Sequence, residues 1–339
     1  MKRNYAIDVA RGISLFFVIL GHLVVDSTTI FNWIFSFHMP IFFILSGMCF
    51  NSEKYNSFLE FVKEKFKKRI IPYIAFTIFA IFMCFIIPSW KAIIGSKNAL
   101  IVLEEIFYYG QPILIRIGAI WFLVALFFSE IILFLLNKFF KHFNLNKYLK
   151  FIIYIILALI GNQILNILNL VNIERLPFKI DTAITASVFM GIGYELNKIN
   201  IFEKIKKYKV SGAIILLVVG YITSYLNGYV NICNCSYGNI FLYYISALCG
   251  GIAIYLIAQK LEKSEYLQFY GKNSLFMFAI HFYLILYFTL IINILFNQSL
   301  TPMVNMPVYI AIILSIIIYL LLEPLTIIYN KIIKKVKTI

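Results

Sequence analysis

The apolar positions along the chain gather into ten runs. A hydrocarbon core about 30 Å thick needs about 20 mostly apolar residues in helical form. The runs occupy roughly 6–25, 30–50, 70–90, 117–137, 148–170, 180–197, 208–228, 238–259, 273–295 and 304–329. No stretch between them exceeds about 26 residues, too little chain for a separate core. The pattern predicts an all-α, polytopic integral membrane protein with about ten transmembrane helices, forming one domain over 1–339 with no separate soluble domain. From Lys54 to Arg69 the pattern differs. Phe58, Phe61, Val62 and Phe66 recur at helical spacing with lysines opposite, which predicts an amphipathic helix lying on the cytoplasmic membrane surface.

Composition supports the same solvent. Soluble domains are about 25% charged, whereas this chain is 13% charged and 62% hydrophobic, so most of its surface is built for lipid. Its net charge of +15 raises the question of nucleic acid, but the basic residues sit in short clusters between apolar runs rather than along one face. They act as a topology signal instead. With the N-terminus inside, 24 of the 30 Lys and Arg fall on inner stretches and 5 on outer ones (Lys91, Lys97, Arg116, Arg175 and Lys179), with Arg11 inside the first helix. That asymmetry predicts cytoplasmic N- and C-termini. The first apolar run has no small-residue cleavage site and carries Asp8, Arg11 and His22, so it reads as a retained helix rather than a removable signal. Trp33 and Trp90 fall at outer helix ends and read as interfacial anchors. The five cysteines lack zinc-type spacing, and no metal site is expected. Cys233 and Cys235 read as thiols, with a strained disulfide as the alternative.

Ionisable groups inside a spanning helix cost about 2.5–3.5 kcal/mol on insertion scales and call for a partner or a function. In IDVARGISLFFVILGH, Asp8 and Arg11 are three apart and can pair on one face. Arg11 and His22 are eleven apart, which returns to within about 20° of the same helical face and separates them by about 16 Å; Ser14 shares the stripe. In FSFHMPIFFILSGM, Pro40 should break the helix at His38 and free backbone carbonyls there, while Ser46 and Gly47 allow close packing. Ser274 and His281 share a face in NSLFMFAIH. Asp181 opens the sixth run, where a carboxylate is also simply a good cap. Three of the four histidines thus lie within the membrane, and imidazole is the side chain suited to proton transfer near neutral pH.

These pieces resemble the membrane-bound acyltransferase-3 family, and within it the fucose 4-O-acetylase-like branch. The matching segments are IDVARGISLFFVILGH, FHMPIFFILSG, RIIPY, IWFLVALF, DTAI with GIGY, SYGN and GKNSLFMFAIH, in the expected order over nearly the whole chain. The resemblance implies an acetyl-CoA-dependent O-acetyltransferase of the bacterial cytoplasmic membrane. Its acceptor would be a hydroxyl of an extracytoplasmic or lipid-linked glycan. Acetyl-CoA is then a substrate, and no permanently bound cofactor is implied. The implied catalytic residues are His22, His38, His281 and Asp181; the implied coenzyme A contacts are Arg11, Arg69, Asp8 and Trp121. His281 is expected deeper inward than His22, toward the thioester end. Some relatives carry an esterase-like domain that this chain lacks.

Two other classes remain open at the level of sequence. A secondary transporter for a sugar or other solute also uses broken helices and intramembrane charges, although no inverted repeat is visible here. A non-catalytic scaffold of a polysaccharide assembly complex is the other. Membrane lipid is the surrounding partner in every case, and nucleic acid in none.

Overall fold

The computed structural model describes residues 3–24, 28–86, 99–112, 117–204, 208–296 and 306–336. Trp90, Lys91, Lys97 and Arg116 lie outside the described residues, as does Lys2. The described residues are helical throughout apart from turns and two isolated bridges. The helices are α1 (Tyr5–Gly21), α2 (Thr29–Phe37), α3 (Pro40–Met48), α4 (Phe58–Ile86), α5 (Ala99–Phe107), α6 (Trp121–His142), α7 (Lys147–Asn169), α8 (Ile180–Lys198), α9 (Ile201–Lys204), α10 (Lys209–Asn227), α11 (Ile240–Lys260), α12 (Glu265–Lys272), α13 (Ser274–Phe296) and α14 (Val308–Val336).

Among the described residues, seven helical stretches are long and apolar enough to cross a membrane: Thr29–Met48, Trp121–His142, Lys147–Asn169, Lys209–Asn227, Ile240–Lys260, Ser274–Leu295 and Val308–Lys335. The chain is therefore a multi-pass helical membrane protein. The other three predicted spans fall on α1, α4 and α8. These are helices too, but α1 is short at 17 residues and carries Asp8 and Arg11, α4 begins in a run of lysines, and α8 is rich in hydroxyl residues.

The chain divides into two compact units, each discontinuous in sequence: 1–42 with 205–230 and 242–339, and 43–204 with 231–241. Within the first unit α1 is the central element, packed by α2, α12, α13 and α14. Gly271 of α12 lies directly on the Asp8 carbonyl of α1, and a Cβ on Gly12 would stand 2.6 Å from the Leu267 carbonyl. Backbones approach this closely only where side chains are absent, as between helices in lipid. Tyr319 of α14 donates to the Gly12 carbonyl at 3.0 Å, and Tyr270 donates to the Tyr319 carbonyl at 2.8 Å. Their rings stack with centroids 4.0 Å apart.

Within the second unit α8 is central, packed by α6 and α7. Gly47 sits on the Met190 carbonyl and Gly193 on that of Ile44, so the small residue Gly47 does permit the close packing its size predicts. Lys54–Arg69 is not a separate surface helix. Phe58–Ile86 is one continuous 29-residue helix, because Phe61 is fully buried and stacks on Phe134 at 4.3 Å instead of facing lipid headgroups. Its exposed side keeps Glu64 between Lys68 at 2.6 Å and Lys54 at 3.1 Å.

Two outcomes are expected. Gly271→Ala should force α12 off α1 and lower the melting temperature in detergent sharply. Gly212→Ala, whose nearest neighbour would be 3.7 Å away, should leave it unchanged or raise it through helix propensity. The Lys68 bond, followed by Lys54 and Tyr55, holds the Glu64 carboxyl down at about 2 against the opposing effect of burial. A depressed carboxylate stabilises the fold above its unfolded pKa and loses that contribution as pH falls toward 2. The melting gap between wild type and Glu64→Gln, of the order of 1 kcal/mol for so accessible a group, should therefore close between about pH 4.5 and 2.

Candidate functional site

The first unit brings the three predicted intramembrane histidines into one region. α1 carries its helical geometry to Gly21 with His22 as its C-cap, so Arg11 and His22 do share one helix, about 16 Å apart along its axis. The chain breaks between α2 and α3, one residue either side of the His38–Met39 step, where Pro40 has no N–H to continue the ladder. His38 turns back on the freed turn. Its backbone N–H and its Nδ1 both lie on the Ile34 carbonyl, at 2.9 and 2.8 Å. On α13, His281 places Nδ1 2.6 Å from the Phe278 carbonyl. A carbonyl only accepts, so both rings carry their proton on Nδ1 and present a lone pair on Nε2.

His22 and His281 stack with centroids 5.5 Å apart and planes 25° from parallel, and Phe282 lies edge-on to both at 4.8 and 5.2 Å. Phe35 faces His38 at 4.8 Å and His22 at 6.5 Å. His281 is therefore level with His22, not deeper toward a separate thioester end as the sequence reading expected. The reason is that α13 reaches His281 after two helical turns from Ser274, at the depth where α1 is ending. His281 is completely buried, and its Nε2 has no hydrogen-bond partner among the described residues. His22 is half-buried, and its ring makes no hydrogen bond among the described residues. It is thus the imidazole whose two nitrogens are both uncommitted.

The pairing that spacing allows between Asp8 and Arg11 does not form. Asp8 Oδ2 accepts from Arg3 Nε at 2.6 Å. Arg3 remains 55% exposed, so its charge stays hydrated while it neutralises the buried carboxylate, whereas pairing with Arg11 one turn deeper would desolvate both ions. Arg11 is consequently a half-buried guanidinium with no ion pair among the described residues.

Asp181, Arg69 and Trp121 belong to the second unit. Trp121 is buried at the start of α6, with its ring edge-on to Phe122. Arg69 bonds the buried Glu130 through Nε at 3.2 Å and Nη2 at 3.0 Å, and Lys65 reaches the same carboxylate at 2.8 Å. One negative charge thus holds two positive ones, and Nη1 of Arg69 stays outside the fork.

Asp181 is not a helix cap, since the cap position of α8 is Lys179 in left-handed conformation. Its buried carboxylate takes Arg175 Nε at 2.8 Å and the Thr182 amide at 2.6 Å. Arg175 also donates to the Cys233 carbonyl at 3.0 Å, where Lys179 Nζ arrives at 3.2 Å while bonding Gln111 at 2.6 Å. Cys233 and Cys235 are both thiols. Burial pushes Cys233 up to about 11 despite the nearby Lys179 and Arg175, so it is inert at neutral pH. Burial also lowers Lys179 below the ordinary lysine range. Sequence reading had counted Arg175 and Lys179 only as outer charges. The signal it passed over was a pair of cations two and six residues before an intramembrane carboxylate. Among the described residues no cluster of metal-ligating side chains forms.

Within the first unit, α1 carries a guanidinium with no ion pair among the described residues and ends on one of two stacked imidazoles. Residues 4–322 match the family Acyl_transf_3, described as "Acyltransferase domain", and the chain belongs to that acyltransferase family. Comparison with curated proteins and with solved structures gives no significant match.

Because Asp181 is the only carboxylate paired with Arg175 among the described residues, Asp181→Asn should strand a buried cation and cost about 3–5 kcal/mol, read as a fall in melting temperature. Replacing both Arg175 and Asp181 with Leu should recover most of that loss. Full stability of Asp181→Asn with activity lost would instead make Asp181 a chemical participant.

Proposed function

We propose that this chain transfers an acetyl group from cytosolic acetyl-CoA to a hydroxyl of an extracytoplasmic or lipid-linked glycan at a bacterial cytoplasmic membrane, as the fucose 4-O-acetylase-like branch of its family would. The observation that carries the reading is the stacked His22–His281 pair, with His22 uncommitted and Nε2 of His281 buried and unpartnered.

In this mechanism His22 is the general base. It takes the proton of the acceptor hydroxyl as that oxygen attacks the thioester carbonyl carbon, and the C–S bond breaks as the tetrahedral intermediate collapses. The sulfur leaves as thiolate and receives the proton back from His22 as the thiol of coenzyme A. His38 and His281, each held by its Nδ1 on a backbone carbonyl, orient the acceptor or pass the proton onward. Arg11, free of Asp8, supplies a guanidinium for a coenzyme A phosphate. An extended pantetheine arm spans the roughly 16 Å from Arg11 to His22. Asp8 holds Arg3, and within the second unit Arg69 holds Glu130 and Asp181 holds Arg175.

The same reading takes α1, α4 and α8 as spans besides the seven apolar ones, giving ten with both termini cytoplasmic. The Lys and Arg asymmetry supports that count, because a missing crossing would scramble it.

Membranes containing the protein, given acetyl-CoA labelled in the acetyl group, should incorporate label into glycan. His22→Ala should reduce incorporation by about 10²–10⁴-fold, the usual worth of a positioned base, at unchanged protein level. Unchanged labelling would remove His22 from the chemistry. Absence of labelling in the wild type with any acceptor would favour a transporter or scaffold.

A further inference from the structure

The second unit contains a cavity of about 510 Å³ whose lining includes Tyr55, Asn137, Lys138, Lys141, Lys150 and Lys198. The positive charge there is only partly balanced. Lys141 meets Glu53 at 3.3 Å and Lys150 stands 4.0 Å from Glu195. Lys138 and Lys198 have no carboxylate partner among the described residues, and lie over the rings of Phe134 and Tyr194 at 5.5 and 6.0 Å. Asn137 adds a buried amide, Nδ2, with no acceptor among the described residues.

Helix dipoles account for part of this arrangement. Lys138 and Lys141 end α6 and Lys198 ends α8, where cations are favoured. They do not account for Lys150, nor for Lys147 beside it, which open α7 at the end where the dipole disfavours a cation. Unsatisfied donors and surplus positive charge from three helix ends describe a receptor for an anion of phosphate chemistry.

Its depth selects the source of that phosphate. The cavity lies where the candidate span Trp121–His142 ends and Lys147–Asn169 begins, hence at the level of lipid headgroups. On the sides of α7 away from Lys150, Tyr148, Leu149, Phe151 and Ile152 turn outward, with Tyr148 and Phe151 68% and 64% exposed. Acyl chains could lie along that face, and a soluble phosphate would use none of it. We propose that this cavity binds the headgroup of an anionic phospholipid, with Lys138 and Lys198 as its principal phosphate contacts. The assignment is independent of the acetyl-transfer chemistry.

The test uses the full-length protein in nanodiscs of mixed phosphatidylglycerol and phosphatidylcholine, extracted gently and weighed by native mass spectrometry. Wild type should retain phosphatidylglycerol in preference to phosphatidylcholine. Lys138→Gln with Lys198→Gln should lose that preference by about thirtyfold, taking about fivefold per lysine at an anionic surface. Lys331→Gln with Lys334→Gln, which removes equal charge elsewhere, should retain it. Melting curves verify that each variant is folded, and Asn137→Ala should weaken retention alone if the double variant fails to fold. Equal retention by wild type and the Lys138/Lys198 variant would overturn the proposal, as would equal loss in the control pair. So would binding of inorganic phosphate or coenzyme A that depends on Lys138 and Lys198 while lipid retention does not, since the ligand would then be soluble.

Discussion

A charged side chain in hydrocarbon costs a few kcal/mol, and the layout of both units follows from where that cost is avoided. α1 carries Asp8, Arg11 and His22, and α8 carries Asp181 with Thr182, Thr185 and Ser187, all four completely buried. Each of these helices is enclosed by its neighbours, so its polar groups face protein. The helices that carry few such groups, such as α7 and α10, turn Phe151, Ile156, Ile214 and Ile215 outward. Enclosure demands close approach, and the glycines on the Asp8, Met190 and Ile44 carbonyls provide it.

The buried carboxylates then take up cations beside them. Asp8 takes Arg3, Glu130 takes Lys65 and Arg69, and Asp181 takes Arg175. On α1 this leaves Arg11 as a guanidinium without a counter-ion among the described residues, on the same helix as the uncommitted His22. A fixed cation and a neutral base on one rigid rod suit a substrate with phosphates at one end and a reactive carbonyl at the other.

What could be read from sequence was whatever is local. Helical period gave the shared face of Arg11 and His22, and Pro40 gave the break at His38. Hydropathy predicted ten spans, of which seven are long and apolar enough among the described residues; α1 and α8 fall short because helices enclosed by protein can carry polar groups. What could not be read was every choice among distant partners. Spacing offered Arg11 to Asp8, but desolvation favoured Arg3 from the extended N-terminal segment. Nothing local places His281 against His22, or gathers Arg175, Lys179 and Gln111 around the Cys233 loop. The lysines of 54–69 looked like a surface helix because their period is right; burial of Phe61 against Phe134 decides otherwise, and that contact is long-range.

The close contact between Asp8 and Gly271 also carries a timetable. A ribosome adding about 5–20 residues per second needs roughly 10–50 s after making α1 before it makes α12. Throughout that interval Asp8, Arg11 and His22 lack α12, α13 and α14, the later helices that pack on α1. The histidine pair of this protein can therefore assemble only once the chain has been translated through His281.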